Sequence, residues 1–262
     1  MSLKLGTDVS GVMLDMDGTV YLGGKAIDGA AEFIERLNKA GIPYAFITNN
    51  SSQTRDFYFK RLEGMGFPVS RDSVITSAVA TAGFIKTRRP EARVFLMASP
   101  DVKEEFISNG VNVTDDDPNI VLLTYDRTIT YDRLNKAYHL IVEGAELIAT
   151  HPDDLCPTED GYDVDIGPFI RLFESLTGKE AVVVGKPNCL LPEMAADLMG
   201  VDIEGTVMIG DRLYTDIKMA DNAGIRSVLV LSGETTEGDI KDSDTQPTYV
   251  VRSVADIEIS GR

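Results

Sequence analysis

Asp15-Met16-Asp17-Gly18-Thr19 is the stretch of sequence from which the rest of the chain can be interpreted. The apolar run Val12-Met13-Leu14 precedes it and predicts a short buried strand, and Gly18 predicts a turn directly afterwards. Residues two apart on an extended backbone point to the same side, so Asp15 and Asp17 face one site. Two carboxylates this close repel each other unless a proton or a cation accompanies them.

This pair of acids suits phosphoryl transfer with a hard divalent cation. Mg2+ prefers oxygen ligands, and aspartate acts as a nucleophile in phosphoryl transfer by forming an aspartyl-phosphate. A first acid as nucleophile and a second as general acid/base make a complete chemical hypothesis. The alternative is a solvated acidic turn, which is the better interpretation of an isolated D-x-D motif because short motifs match by chance.

Composition excludes several classes of partner. The 262 residues include 25 Lys and Arg against 42 Asp and Glu, and the net charge of -17 repels nucleic acids and anionic membranes. No apolar run approaches the roughly 18–20 residues of a membrane span, and the N-terminus has no signal-like core. Cys156 and Cys189 lie far apart with no metal-like spacing, which indicates a reducing cytoplasm. The two histidines, His139 and His151, do not accompany a nucleophile motif, so a Ser-His-Asp system is not expected.

The next elements predict a parallel sheet. The pattern of residues 28–40 predicts a helix with Asp28 as its N-cap, and residues 44–47 predict a strand that leads into Thr48 and Asn49. A strand, a helix and a strand of these lengths form a parallel βαβ unit. Because ligands collect at the carboxyl ends of parallel strands, Asp15 and Thr48 are expected at the same edge.

A second α/β pattern with its own sheet interrupts the first. It occupies residues 80–180 and includes a long polar loop from His151 to Asp165. The first pattern then resumes with strands at 181–184 and 206–209 and a helix at 214–223. We therefore expect an α/β protein whose doubly wound, Rossmann-like parallel-sheet core comprises residues 1–79 and 181–262, with an inserted α/β domain at 80–180.

Polar residues follow four predicted strands, and we expect them to meet at one edge of the core. They are Asp15 with Asp17, Thr48 with Asn49, Lys186, and Asp211 with Asp216. Asp15 would attack phosphorus, and Asp17 would protonate the leaving alcohol and then deprotonate water. Thr48 and Asn49 would hold the phosphoryl oxygens, and Lys186 would offset their negative charge. Asp211 would coordinate Mg2+ together with Asp15 and the backbone carbonyl of Asp17. Asp216 would support these metal ligands.

Four parts of the sequence resemble the four motifs of the haloacid dehalogenase superfamily: Asp15-Met16-Asp17-Gly18-Thr19, Thr48, Lys186 and Gly210-Asp211-Arg212-Leu213-Tyr214-Thr215-Asp216. Thr48-Asn49-Asn50-Ser51 and Gly185-Lys186-Pro187 resemble its NagD-like, p-nitrophenyl-phosphatase branch. The resemblance implies the residue roles given above and a large α/β cap between the second and third motifs. It also implies that a homodimer through the cap would fit the family. The second acid of the first motif argues against dehalogenase chemistry.

The resemblance is imperfect at His151-Pro152-Asp153, where many relatives have Asn before Pro-Asp. His151 and Asp153 are therefore candidates for substrate specificity. The function expected is Mg2+-dependent hydrolysis of small phosphate monoesters, of sugar phosphate or nucleotide type, through an aspartyl-phosphate in the cytoplasm. The alternatives are a phosphotransferase or phosphomutase of the same fold, and a non-catalytic Mg2+-dependent binding protein.

Overall fold

The structure, a computed structural model, describes residues 3–158 and 161–260. The first elements are β1 (Leu3–Leu5), β2 (Gly11–Leu14), β3 (Tyr21–Leu22), β4 (Lys25–Ala26), α1 (Ala30–Ala40), β5 (Tyr44–Thr48), α2 (Arg55–Gly64) and β6 (Val74–Thr76). The middle elements are α3 (Ser77–Arg88), β7 (Val94–Met97), α4 (Pro100–Ser108), β8 (Ile120–Leu123), α5 (Tyr131–Glu143), β9 (Glu146–Ala149), β10 (Leu155–Thr158), β11 (Gly161–Val164), α6 (Gly167–Thr177) and β12 (Val182–Val183). The last are α7 (Leu190–Met199), β13 (Thr206–Gly210), α8 (Lys218–Ala223), β14 (Arg226–Val230), α9 (Glu237–Asp242), β15 (Tyr249–Val251) and β16 (Ile257–Ile259).

The chain forms two compact units. The first unit comprises the chain up to Thr48, Asp56–Ile75 and the chain from Lys186 onward, and the second comprises Asn49–Arg55 and Thr76–Gly185. Among the described residues, no helix combines the length and apolar composition that crossing a membrane requires.

The first unit is built on a six-stranded sheet in the order β15-β14-β13-β2-β5-β6. The pairs that β2 makes with β13 and β5 are parallel, as are the pairs of β14 with β13 and β15. From β2 the chain adds β5 and β6 on one side and later β13, β14 and β15 on the other. The expectation of a doubly wound parallel sheet is therefore confirmed, and the chain reverses its winding direction at β2.

Helix α1 covers this sheet with an apolar face of Ala30, Phe33, Ile34 and Leu37, all buried. The prediction that Asp28 caps it is wrong. The N-cap residue is Gly29, with φ of 79°, and no side chain caps the helix. A Cβ at this position would lie 2.6 Å from Cβ of Ala255, so both the backbone angle and the close approach favour glycine.

The second unit has its own four-stranded parallel sheet in the order β12-β9-β8-β7. The prediction that the strand at 181–184 belongs to the core is therefore wrong, because Val182–Val183 pair with β9 in this sheet. The prediction of a continuous loop from His151 to Asp165 is wrong, because β10 and β11 pair within it as an antiparallel hairpin. Leu155 lies opposite Val164 and Pro157 opposite Tyr162. Both strands are mostly exposed, so no alternation of apolar and polar residues marks them in the sequence, and Pro157 argues against a strand.

The seven residues Asn49–Arg55 pack within the second unit, although the predicted boundaries assign them to the core. Ser51 explains this placement: its buried hydroxyl lies 2.9 Å from Oγ1 of Thr150 and accepts the N–H of Tyr125 at 2.8 Å. At its far end the backbone N–H of Arg55 donates to Glu105 Oε1 at 2.8 Å. These long-range hydrogen bonds attach the segment to residues that follow it by at least 50 positions.

Candidate active site

The carboxyl end of β2 places Asp15 at the reversal point of the sheet. The N–H of Asp15 continues the ladder by donating to the carbonyl of Ile209 on β13 at 2.9 Å. On the other side, Leu14 pairs with Phe46, so Thr48 lies at the same edge at the end of β5, with its side chain buried. The predicted convergence of strand ends in the first unit thus holds for Asp15, Thr48 and the residues that follow β13.

Lys186 is buried between two carboxylates. Its ammonium donates to Oδ1 of Asp15 at 2.5 Å and to Oδ1 of Asp216 at 2.7 Å, and the lysine side chain is 3% exposed. Burial alone would lower the pKa of Lys186, but the charges of Asp15 and Asp216 raise it above the ordinary value. The lysine therefore stays protonated and offsets negative charge where a phosphoryl group would add more.

Asp211 follows β13 and is packed between two glycines. A Cβ would lie 2.4 Å from Asp211 Oδ2 if placed on Gly18 and 2.0 Å from it on Gly233. Oδ2 accepts the N–H of Glu234 at 2.7 Å. Oδ1 is also buried, but no hydrogen-bond donor reaches it from the described part of the chain. A buried carboxylate oxygen without a donor suits a cation ligand.

The three buried acids around this oxygen form a group suited to a divalent metal. One oxygen from each of Asp15, Asp211 and Asp216 lies within 4.8 Å of the others. Burial, opposed by Lys186 and reinforced by Asp216, raises the pKa of Asp15 to about 7. Burial, with the charges of Asp15 and Asp216, raises the pKa of Asp211 to about 8. A hard cation would relieve this repulsion, so the residues fit Mg2+.

Gly233 offers a direct test of how Asp211 is held. We expect Gly233→Ala to lower kcat by about 10²-fold and to weaken activation by Mg2+, since the new methyl group must displace the Asp211 carboxylate. Activity titrated with Mg2+ and metal binding by calorimetry would measure both effects. Gly64→Ala is the control because nothing lies within 4 Å of its added Cβ. Equal Mg2+ affinity in the Gly233→Ala variant and the wild type would contradict this assignment.

Asp216 uses both of its oxygens within the protein. Oδ1 accepts from Lys186, and Oδ2 accepts the N–H of Arg212 at 3.1 Å. The predicted helix over 214–223 begins differently, as a π-helical turn at Leu213–Ile217 that precedes α8. Such turns often occur at functional sites. This one places Asp216 against Gly210, where an added Cβ would lie 2.4 Å from Cβ of Asp216. Asp216 is therefore placed to orient Lys186.

Asp17 lies beyond the end of β2, at the start of a short hairpin formed by β3 and β4. Its side chain reaches solvent, yet the partial desolvation of its surroundings raises its pKa. Arg61 and Arg212 oppose this rise in pKa, as does a hydrogen bond from the N–H of Gly23 in the hairpin turn. The predicted acid/base residue thus has its own hydrogen-bond donor and two nearby cations.

Arg212 was given no role in the sequence analysis. The guanidinium Nε lies 2.9 Å from Oε2 of Glu234, and Glu234 Oε1 accepts the hydroxyl of Tyr214. Burial alone would lower the pKa of Arg212, but nearby negative groups, including Asp15 and Asp211, raise it. Its position directly after Asp211 is the signal in the sequence that could have indicated a cation close to the acids of the site.

Asn49 lies in the second unit, where its amide donates to both carboxylate oxygens of Asp153 at 3.1 and 3.2 Å. Its backbone carbonyl accepts the hydroxyl of Ser77. Asn50 is linked nearby, with its amide 3.4 Å from Sγ of Cys156. The phosphate contact predicted for Asn49 stays a prediction, and the structure adds that Asp153 is its direct partner.

His151 is buried at 0% exposure, and both ring nitrogens have partners. Nδ1 lies 3.0 Å from Oγ1 of Thr150 and 3.5 Å from Oγ of Ser51, and Nε2 lies 2.9 Å from Oδ1 of Asp165. Ser51, His151 and Asp165 are thus linked serine to histidine to aspartate, as in a hydrolase triad, but the serine is fully buried. This burial makes the three residues a structural network rather than a second reaction centre.

Comparisons with known proteins agree with this geometry. A model of haloacid dehalogenase-like hydrolases matches residues 12–112, and a second, HAD-hydrolase-like model matches residues 183–257. The acid sugar phosphatase of Staphylococcus haemolyticus is 34% identical over 240 residues, covering 91% of each chain. The 5'-nucleotidase YutF of Bacillus subtilis is 32% identical over 246 residues, covering 94% of this chain and 96% of its own.

Solved structures show the same likeness. The 4-nitrophenylphosphatase from Thermotoga maritima superimposes with a TM-score of 0.91 at 39% identity, covering 95% of this chain and 96% of its own. These relatives confirm the expectation of a phosphoester hydrolase and the resemblance to NagD-like and p-nitrophenyl phosphatases. The chain belongs to the haloacid dehalogenase-like hydrolases.

Proposed function

We propose that this protein hydrolyses phosphate monoesters of small metabolites with Mg2+, using Asp15 as the nucleophile. The observation that carries the proposal is the buried arrangement in which Lys186 bridges Asp15 and Asp216, while no group among residues 3–158 and 161–260 donates to Oδ1 of Asp211. A lysine held against a carboxylate keeps that nucleophile ionised and oriented. It also leaves a positive charge in place for the incoming phosphoryl group.

The reaction proceeds in two halves. In the first, an oxygen of Asp15 attacks phosphorus, the ester P–O bond breaks, and Asp17 gives its proton to the departing alkoxide oxygen. In the second, Asp17, now a carboxylate, takes a proton from water as that water attacks phosphorus and releases Asp15 and inorganic phosphate. The raised pKa of Asp17 favours the protonated form that the first half requires.

Other residues bind the phosphoryl group and the cofactor. The Thr48 hydroxyl and the Asn49 N–H would accommodate phosphoryl oxygens, and Lys186 would balance their charge. Asp15, Asp211 and the backbone carbonyl of Asp17 would hold Mg2+, with Asp216 supporting them. Bound there, Mg2+ would stabilise the negative charge that develops during transfer.

We infer the substrate class from the relatives. One relative is named for sugar phosphates and another for 5'-nucleotides, so we propose a small phosphorylated metabolite of one of these types. The second unit would serve as the cap and set substrate choice, with the half-buried Asp153 as a candidate contact and the buried His151 acting through its neighbours. We also propose a homodimer through the cap. The free cysteines Cys156 and Cys189 suit the reducing cytoplasm.

A panel of phosphate esters assayed with and without Mg2+ tests the proposal. We expect release of inorganic phosphate from at least one sugar phosphate or nucleotide, its loss on treatment with EDTA, and its recovery on adding Mg2+. Competing alcohols in the same assay would distinguish hydrolysis from transfer, because a phosphotransferase would yield a new ester. Failure to release phosphate from any ester in the presence of Mg2+ would overturn the proposal.

A further inference from the structure

Helix α2 carries an arginine that neither the motifs nor the proposed mechanism uses. Arg61 lies on the first unit's part of this helix, and its guanidinium carbon is 4.7 Å from the centroid of the Tyr21 ring. Tyr21 is buried and starts the β3–β4 hairpin that follows Asp17. A guanidinium over an aromatic face is held by cation–π attraction, so the helix and the hairpin are joined at this point.

The same arginine is also linked to the turn of that hairpin. Its Nη2 donates to the carbonyl of Gly23, and the N–H of Gly23 donates to the carboxylate of Asp17. Gly23 therefore connects the two side chains through its own two backbone groups. It has a positive φ of 55° and open space where a Cβ would lie, so Gly23 has no side chain of its own that could hold the turn.

Turns with so little packing have many accessible conformations unless a contact holds them. Arg61 supplies two contacts, one to the ring at the base of the hairpin and one to the carbonyl at its tip. Within the first unit, the orientation of the Asp17 carboxylate thus depends on a side chain 44 residues further along the chain.

We propose that Arg61 is a positioning residue for the reaction: by holding the Gly23 turn, it keeps Asp17 aimed at the oxygen that accepts or gives the proton. This inference rests on the proposed function, because it assigns Arg61 a role through the general acid/base. In the first half, the proton of Asp17 passes to the leaving oxygen as the P–O bond breaks. In the second, Asp17 receives a proton from the attacking water.

The choice of leaving group tests this role. p-Nitrophenolate departs as a stable anion and needs no proton, whereas the alkoxide of glycerol phosphate requires one. The parameter kcat/KM reports the steps up to departure of the leaving group. We expect Arg61→Gln to lower kcat/KM for glycerol phosphate by about 10²-fold and that for p-nitrophenyl phosphate by less than about threefold. With p-nitrophenyl phosphate, acid quenching should reveal more phosphoenzyme in the variant than in the wild type.

Three further variants make the test specific. Arg61→Lys keeps the charge and should recover part of the lost activity toward glycerol phosphate. Lys60→Gln removes a charge from the adjacent, exposed position of the same helix and should leave both substrates unaffected. Asp17→Asn should show the same dependence on the leaving group as Arg61→Gln, but more strongly.

The outcomes separate the two proposals. If Asp17→Asn shows no dependence on the leaving group, the proposed role of Asp17 fails. If Asp17→Asn shows it and Arg61→Gln slows both substrates equally or neither, the role of Arg61 is overturned. Thermal unfolding of each variant identifies a loss caused by instability, and Arg61→Lys then decides the question, because its kcat/KM ratio between the two substrates must still shift.

Discussion

Asp15→Asn is expected to abolish phosphate release, with a loss in kcat of at least about 10⁴-fold. An amide is a far weaker nucleophile than a carboxylate, and the phospho-aspartyl intermediate cannot form on it. The fold should persist, since the amide oxygen can still accept from Lys186 and the Lys186–Asp216 ion pair remains. Release of inorganic phosphate from p-nitrophenyl phosphate and the mass of the acid-quenched protein would measure the two effects.

A matched control for this variant lies on the surface of the same unit. Asp221→Asn removes the same charge from an exposed pair with Lys218 three residues away, and it should change neither kcat nor phosphoenzyme formation. If Asp15→Asn kept near-wild-type hydrolysis, or if its acid-quenched protein carried phosphate on a residue other than 15, the nucleophile would have to be another group. The acids of the site would then serve only to bind a cation.

Lys186→Met should affect stability as well as activity. Without the ammonium, Asp15 and Asp216 remain buried with no opposite charge between them, and breaking a buried pair in this way typically costs about 3–5 kcal/mol. Activity should fall by at least about 10²-fold, because charge stabilisation of the phosphoryl group is lost. Urea denaturation and steady-state kinetics would measure the two losses.

The loss of stability in Lys186→Met should depend on pH. Removing Lys186 takes away the main influence that lowers the raised pKa of Asp15. The folded state then binds a proton that the unfolded state releases, so the free energy of unfolding falls as pH rises above the ordinary pKa of an aspartate. We therefore expect the variant to be more stable at pH 5 than at pH 8, relative to wild type, in parallel urea titrations.

A double variant and a surface control complete this test. Lys186→Met combined with Asp216→Asn removes one of the two buried charges and should recover part of the lost stability, which makes the two substitutions non-additive. Lys218→Met removes an exposed lysine, and its effect on stability should stay within about 0.5 kcal/mol. Additive effects of the two buried substitutions would show that Lys186 and Asp216 do not interact as the structure indicates.

Much of the first unit could be predicted because its information is local. The apolar run before Asp15, the helix period of residues 30–37 and the polar residues after each strand are short patterns, and parallel pairing brings those strand ends together. Asp15, Asp211 and Asp216 accordingly lie together in the structure. Lys186 joins them without that pairing, because it follows β12, which pairs with β9 in the sheet of the second unit. The role of Asn49 was harder to judge because its partner, Asp153, is 104 residues away in the sequence.

The order of the motifs, the doubly wound sheet and the chemical types at the strand ends were determined by the sequence alone, because each depends on residues close together in the chain. Only the tertiary structure decided that the segment Asn49–Arg55 belongs to the second unit, that Gly18 and Gly233 enclose Asp211, and that Arg61 reaches the Gly23 turn. These features depend on the close approach of distant backbone segments. Such approaches result from packing of the whole unit, and no local pattern of residues encodes them.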